Sequence, residues 1–380
     1  MNFVALRMLL GDRGKYLGLV FAIAFATFLL ENQTSIFVGI LNRTGARIAD
    51  VTDAEVWVMD ADTQYFEETK PLKDTDLTRV RGVPGVQWAV RLFKGNPVAR
   101  TEAGRFAQTS VLGLDDVTLV GVPRKMVLGS WERLREPDSI IVDRAGYGLL
   151  FPGEPLALGR TLQLNDHLVR IVGISDAAAT FISFPLIHTR YSVAVNFQGQ
   201  ERTQMAFVLA RPQPGITPAE LTRRIAAHTG LRARTSDEFV WDCIRYMLLH
   251  TGIPVNFGIT IAIAILVGAV VSGQTFYLFT VENLKQFGAL KAIGVTDWRL
   301  VGMILLQAAT VGVVGFAIGT GLAAAFFDFM SYTFIEARGM IMPWQNVALT
   351  AVCIFFVVII ASLLSIRRVL VLEPAAVFRA

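Results

Sequence analysis

The chain has 380 residues and a formal net charge of +4, with 53% hydrophobic and only 17% charged residues. Soluble domains carry roughly 25% charged residues, so this composition, with a mean hydropathy of +0.50, excludes an ordinary soluble enzyme. The basic residues form no patch with interleaved aromatics, which excludes a nucleic-acid partner.

Residues 1–16 place Phe3, Leu6 and Leu10 at helical spacing among polar and basic positions. That pattern predicts a short amphipathic helix in the membrane interface, or equally an extension of the span that follows. The first span is predicted over 17–41, where Glu31, Asn32 and Gln33 interrupt an otherwise apolar run. Arg7, Arg13 and Lys15 ahead of Leu17–Leu30 also suit a signal peptide. Against this, no small-residue cleavage site follows Leu30, and apolar residues resume at Ile36–Leu41.

Residues 42–250 read as a mixed α/β domain large enough for its own core. Glu55–Met59 alternates like a strand, and Thr75–Val80 suits a short helix. Gly82-Val83-Pro84-Gly85 suits a turn before a strand from Val86. Thr161–Leu164 and Leu168–Ile174 suit a hairpin across Asn165-Asp166. Thr217, Pro218 and Glu220 predict a capping box opening a helix that runs to about His228. The domain shows no GxSxG elbow, and Asp115-Asp116 and Glu67-Glu68 suit solvated turns better than an acid/base pair, so binding or coupling is expected rather than catalysis. His167, His188, His228 and His250 lack ligand spacing, and neither CxxC nor HExxH occurs, so no metal is expected.

Three further spans are predicted over 251–281, 300–327 and 339–366, each able to cross a hydrocarbon core that takes about 20 residues. Between them lie 282–299 and a short loop, 328–338, and the tail is 367–380. Basic residues mark the cytoplasmic side. Arg7, Arg13 and Lys15, then Lys285, Lys291 and Arg299, then Arg367, Arg368 and Arg379 fall on one side if there are four spans. Both termini are therefore expected in the cytoplasm of an inner-membrane protein, with 42–250 outside. Cys243 and Cys353 then lie in different compartments, and no disulfide is expected. Gly315, Ala317, Gly319 and Ala323 form a small-residue stripe that suits helix packing better than a substrate path.

The loop 282–299 reads Glu282-Asn283-Leu284-Lys285-Gln286-Phe287-Gly288-Ala289-Leu290-Lys291-Ala292-Ile293-Gly294. Leu284, Phe287 and Lys291 share one helical face, and Gly294 stands as a C-terminal stop. From Gln286 to Gly294 the segment resembles the ExGxLxAxG stretch of the FtsX-like, or MacB-type, ABC permease family, with Gln286 where a Glu is common. The tail Ile366-Arg367-Arg368 to Pro374-Ala375 is similar to that family's terminal pattern. Val80–Val90 and Leu158–Ile174 resemble elements of its periplasmic core domain. The resemblance covers nearly the whole chain.

The resemblance implies four transmembrane helices plus a mixed α/β MacB-type periplasmic domain. It makes the chain a non-enzymatic permease of a type VII, mechanotransmission efflux complex, closest to the DevC and HrtB branch. It implies a coupling helix that docks on the ATPase, with Glu282, Lys285, Gln286, Phe287, Gly288, Leu290, Lys291 and Gly294 as its residues. The implied partners are two copies of a separate ABC ATPase, a second permease copy, a periplasmic adaptor and membrane lipids. No GxxxxGK[ST] loop occurs in this chain, so ATP and magnesium belong to the partner and no cofactor is expected here. An ionisable group within a span is costly, and Glu31 lies above Phe21, Phe25 and Phe28. That arrangement suits an amphiphile such as a lipid, haem or hydrophobic peptide, or else an interhelical contact. Lipoprotein release and FtsX-like regulation of cell-wall hydrolases stay open as alternatives.

Overall fold

The computed structural model describes residues 2–68, 70–177, 184–197, 205–334 and 340–371. The chain divides into two compact units, one of Met1–Gly39, Gly252–Thr333 and Met340–Ala380, the other of Ile40–Thr251 and Phe334–Gly339.

The first unit is helical. Asn2–Gly11 forms a short helix separate from the next, which corrects the reading of residues 1–16 as an extension of the first span. Asp12 makes the break by accepting the backbone N–H of Lys15 (3.3 Å), as an N-cap does. The short helix buries Ala5 and Leu9 against the rest of the unit and leaves Phe3 and Leu10 exposed. Among the described residues, four helices are long and apolar enough to cross a membrane: Arg13–Thr44, Ile253–Glu282, Asp297–Thr333 and Trp344–Leu370. A shared apolar interior binds them, with Leu19, Ile23, Phe276, Val311, Ile354 and Val358 in it.

Lipid tails are as apolar as leucine, so helices in a bilayer associate by close packing more than by the hydrophobic effect. Here glycine supplies the closeness. A Cβ on Gly319 would stand 2.5 Å from the Ala24 carbonyl oxygen and 2.6 Å from Thr27 Cβ, and one on Gly315 would stand 2.8 Å from Ile23. Gly268 meets Ala26 in the same way, at 2.7 Å. The small residues of the third long helix thus receive the first.

Among the described residues, the second unit is built on a twelve-stranded sheet. In chain order its strands are β1 (Val56–Met59), β2 (Val86–Gly95), β3 (Val98–Thr101), β4 (Phe106–Gln108), β5 (Ser110–Leu114) and β6 (Met126–Gly129). They continue with β7 (Ser139–Asp143), β8 (Thr161–Leu164), β9 (His167–Ser175), β10 (Leu186–Arg190), β11 (Phe207–Pro212) and β12 (Arg232–Thr235). The spatial order is β12-β1-β11-β2-β5-β10-β7-β9-β8-β3-β4, with β6 on β9. The β10–β5 and β7–β9 pairs are parallel, the others antiparallel.

Strand β1 does not alternate between core and solvent, because helices cover both faces of the sheet. Val56 and Val58 enter one core with Leu77, Tyr147, Leu221 and Ile225, while Trp57 and Met59 enter the other with Phe66, Phe207 and Phe239. The hairpin between β8 and β9 turns on Asn165 (φ 44°) and Asp166 (φ 69°), both in the left-handed region that a tight hairpin turn requires. Thr217 caps the helix Pro218–Thr229 by accepting Glu220 N–H (3.2 Å). The reciprocal half of that box is absent, since Glu220 gives its carboxylate to Arg224. A complete capping box stands instead at Thr235 and Glu238, opening the helix Ser236–His250.

Gly319→Leu is expected to lower the unfolding free energy of the detergent-solubilised protein by about 1–3 kcal/mol, as overpacking does. Gly321, two residues away with nothing within 4 Å of its Cβ position, is the control. Gly321→Leu should stay within about 0.5 kcal/mol of the parent, with thermal unfolding as the measurement for both.

Candidate functional site

The segment between the second and third long helices folds as a helix, Leu284–Ala292. It starts where Asn283 ends the preceding helix: Asn283 Nδ2 donates to the Phe279 carbonyl (2.8 Å), and its own carbonyl accepts Gln286 and Phe287 N–H (3.0 and 3.1 Å). It stops at Gly294, whose φ of 90° is open to glycine and strained for other residues. Val295 N–H returns to the Leu290 carbonyl and Gly294 N–H to that of Lys291, both at 3.1 Å. This pair of bonds is the Schellman ending.

One face of this helix is an anchor. Phe287 is fully buried among Ala5, Leu300, Met303, Ile304 and Val369, with Leu284, Leu290 and Val295 packed around them. Gly288 is buried beside it. Lys291 lies on the same side and is already engaged: its Nζ donates to the Leu370 carbonyl (3.0 Å) and lies 3.0 Å from Asp297 Oδ1. It therefore clips the helix to the end of the fourth long helix and the start of the third. Glu282 pairs with Lys15, which also holds Asp12 (2.6 Å). A groove of about 670 Å³ runs between this pair and the N-terminal helix, past Arg7, Met8 and Gln286.

The other face is free of such contacts. Lys285 and Gln286 are exposed on it, and just beyond the helix Ile293 is 78% and Trp298 85% exposed. Sequence reasoning passed over both as site residues. The available signal was an aromatic residue in a predicted polar loop, directly after Asp297 at the start of a helix. Of the tail motif, Arg367 and Arg368 are described, Arg368 donating to Tyr277 Oη (3.1 Å). Glu373, Pro374, Ala375 and Ala376 lie outside the described residues.

The structure separates the two parts of the candidate substrate site. Phe21 and Phe25 stack at 6.1 Å between centroids, and Phe28 meets Phe326 edge-on at 5.9 Å. Phe21, Phe25 and Phe28 border an apolar groove of about 450 Å³ completed by Ile318 and Leu322. Glu31 is not part of that groove. It is fully buried and accepts the Thr320 hydroxyl at 2.8 Å, tying the first long helix to the third. Its Oε2 has no hydrogen-bond partner among the described residues. The close approach allowed by Gly315 and Gly319 places the third long helix against this side of the first.

Among the described residues no three His, Cys, Asp or Glu side chains gather as metal ligands. Cys243 and Cys353 are free thiols, and burial pushes Cys243 up to about 12, which leaves it protonated and unreactive.

Residues 16–228 match the MacB-like periplasmic core domain, and residues 258–374 match the FtsX-like permease C-terminal region. The chain belongs to the MacB/FtsX family of ABC transporter permeases. The permease is 23% identical over 359 residues to Rv0072 of Mycobacterium tuberculosis, named an uncharacterized ABC transporter permease, covering 93% of each chain. It is 30% identical over 106 residues to a Staphylococcus haemolyticus chain named as the hemin transport system permease HrtB, covering 28% of this chain and 29% of that one. It is also similar to the periplasmic region of MacB from Actinobacillus actinomycetemcomitans, at 13% identity. That match covers 50% of this chain and 92% of that one, with a TM-score of 0.38. A permease of this type is the non-catalytic subunit of its transporter and implies an ATPase partner. The four apolar helices and the periplasmic-type domain make it a membrane protein with an extracytoplasmic segment.

Phe287→Ala is expected to cost about 3–5 kcal/mol of stability, as loss of a buried ring does. Gln286→Ala, at an exposed position, should cost less than about 0.5 kcal/mol. Chemical denaturation in detergent measures both.

Proposed function

We propose that the permease couples ATP hydrolysis by a separate ABC ATPase to export or extraction of an amphiphilic substrate, by transmitting motion from a cytoplasmic docking helix. The observation that carries this reading is the two-sided character of Leu284–Ala292. Its inner face is locked by buried Phe287 and by the Lys291 clip. Beside its outer face stand Ile293 and Trp298, large apolar side chains left in the open. Tryptophan anchors of this kind dominate protein interfaces energetically. A helix that is rigidly keyed on one side and sticky on the other moves its neighbours when a partner moves it.

In this reading both termini and 282–299 face the cytoplasm, and 42–250 face outward, as the basic flanks require. Two ATPase subunits and a second permease copy complete the complex, with a periplasmic adaptor where export continues beyond the inner membrane. The groove of Phe21, Phe25 and Phe28 admits the apolar part of a lipid, haem or hydrophobic peptide from the bilayer. The hemin named for HrtB is one such amphiphile. Glu31 acts as an interhelical tie to Thr320 rather than as a wall of the groove.

The test is co-purification and ATPase activity of the permease with its ATPase in nanodiscs. Ile293→Asp combined with Trp298→Asp, folded as judged by an unchanged melting temperature, should weaken ATPase association at least tenfold. Normal association and normal substrate-stimulated turnover in that variant would overturn the docking assignment. Phe25→Ala should reduce stimulation by one added amphiphile among haem, glycolipid and lipopeptide while leaving association intact.

A further inference from the structure

The domain unit holds two cavities that share one wall residue, Arg47. The first is apolar, about 250 Å³, and lined chiefly by Tyr65, Phe66, Phe184, Tyr246 and Met247. Its aromatic rings are ordered: Tyr65 stacks on Tyr246 at 4.0 Å, and Tyr246 on His250 at 4.8 Å. Arg43, Thr44 and Thr251 also border it. The second cavity is polar, about 620 Å³, and Arg47, Asp143 and His188 line it, together with Lys125, Arg144 and Asp176.

Arg47 is buried at 5% exposure and held in place, donating to Ser110 Oγ and lying 3.7 Å from Glu67 Oε1. It lines both chambers, the apolar one and the charged one. In the polar chamber Asp143 is already satisfied, accepting Leu186 N–H (2.7 Å) and Gly146 N–H (3.1 Å), and its burial favours the neutral acid. Lys125 and Arg144 are exposed and have no ion-pair partner among the described residues. His188 is only 4% exposed, yet its Nδ1 has no hydrogen-bond partner among those residues. Burial and the nearby Arg47 charge hold its ring neutral, with a pKa lowered to about 3. An unpaired buried ring nitrogen is costly, a cost that a hydrogen-bonding ligand removes. The polar chamber sets Arg47, Arg124, Lys125 and Arg144 against Asp50, Asp143 and Asp176. With Asp143 favoured as the neutral acid, the cations are in excess, and an apolar chamber beside it suits a molecule with an apolar body and an anionic head.

We infer that the domain binds an anionic amphiphile across Arg47, its apolar body among Tyr65, Phe184 and Tyr246 and its carboxylate or phosphate at His188, Lys125 and Arg144. The role of such a ligand as cargo rests on the permease proposal above. The site itself does not, and it is tested without any ATPase.

The probe is a diazirine-bearing palmitate, photo-crosslinked to the full permease in phosphatidylcholine nanodiscs, with labelled peptides mapped by mass spectrometry. Label is expected in the peptides carrying Tyr65–Phe66 and Tyr246–Met247. The corresponding diazirine alcohol, without the anionic head, should label them at least fivefold less. Tyr246→Ala and the double variant Lys125→Glu, Arg144→Glu should each reduce palmitate labelling there at least fivefold. Tyr246→Phe, which keeps the stack, should not, and equal melting temperatures keep the comparison fair. Added phosphatidylglycerol that competes away the label makes a bilayer lipid the occupant, and label that persists makes it a separate carboxylate ligand. Labelling confined to the long helices, or indifferent to both variants, overturns the inference.

Discussion

The close approach of the first long helix to the third at Gly315 and Gly319 constrains much of the membrane unit. A backbone in hydrocarbon satisfies its polar groups within its own helix, so helices there gain little from one another unless their surfaces interlock. Gly315 and Gly319 remove the side chains that would hold the axes apart, and Ile23, Ala24 and Thr27 occupy the space. That closeness brings Thr320 within reach of Glu31, so a carboxylate that would be costly facing lipid is enclosed and hydrogen-bonded. It also decides which face of the first helix is left over. Phe21 and Phe25 remain exposed because the opposite side is committed.

The helix Leu284–Ala292 shows a comparable division of labour at a smaller scale. An isolated nine-residue helix has little stability of its own in water, since its nucleation is unfavourable. Here the buried Phe287, the Schellman ending at Gly294 and the Lys291 clip replace intrinsic stability with tertiary contacts. The clip also joins three segments that are separate in sequence, at Lys291, Asp297 and Leu370.

Much of this was legible from residues close in sequence. The Asn165-Asp166 turn, the glycine stop at Gly294, the four apolar runs and the Thr217 cap all depend on neighbours within a few positions. What was not legible depends on partners far along the chain. Lys291 was read as a docking residue, and its bond within the chain was not foreseen because its acceptor, the Leu370 carbonyl, lies 79 residues away. Glu31 and the phenylalanines were read as one site because helical spacing gives angles but not which angle faces a neighbour. The four residues of β1 seemed to alternate, yet helices from two distant stretches bury both faces. Glu220 met the pattern of a capping box, but Arg224 one turn later competes for the same carboxylate.

The bond between Glu31 and Thr320 spans 289 residues, and that interval is also an interval of time. Chains grow at about 5–20 residues per second, so the first helix is complete roughly 15–60 s before its partner exists. During that wait its carboxylate and the face meant for Gly315 and Gly319 stand bare, while the whole outer domain is made and folded between them. Biogenesis therefore needs something to shelter the early helix, whether an insertase, a neighbouring lipid headgroup or a proton on the carboxylate itself. Mature architecture is set by a contact that assembly can make only near its end.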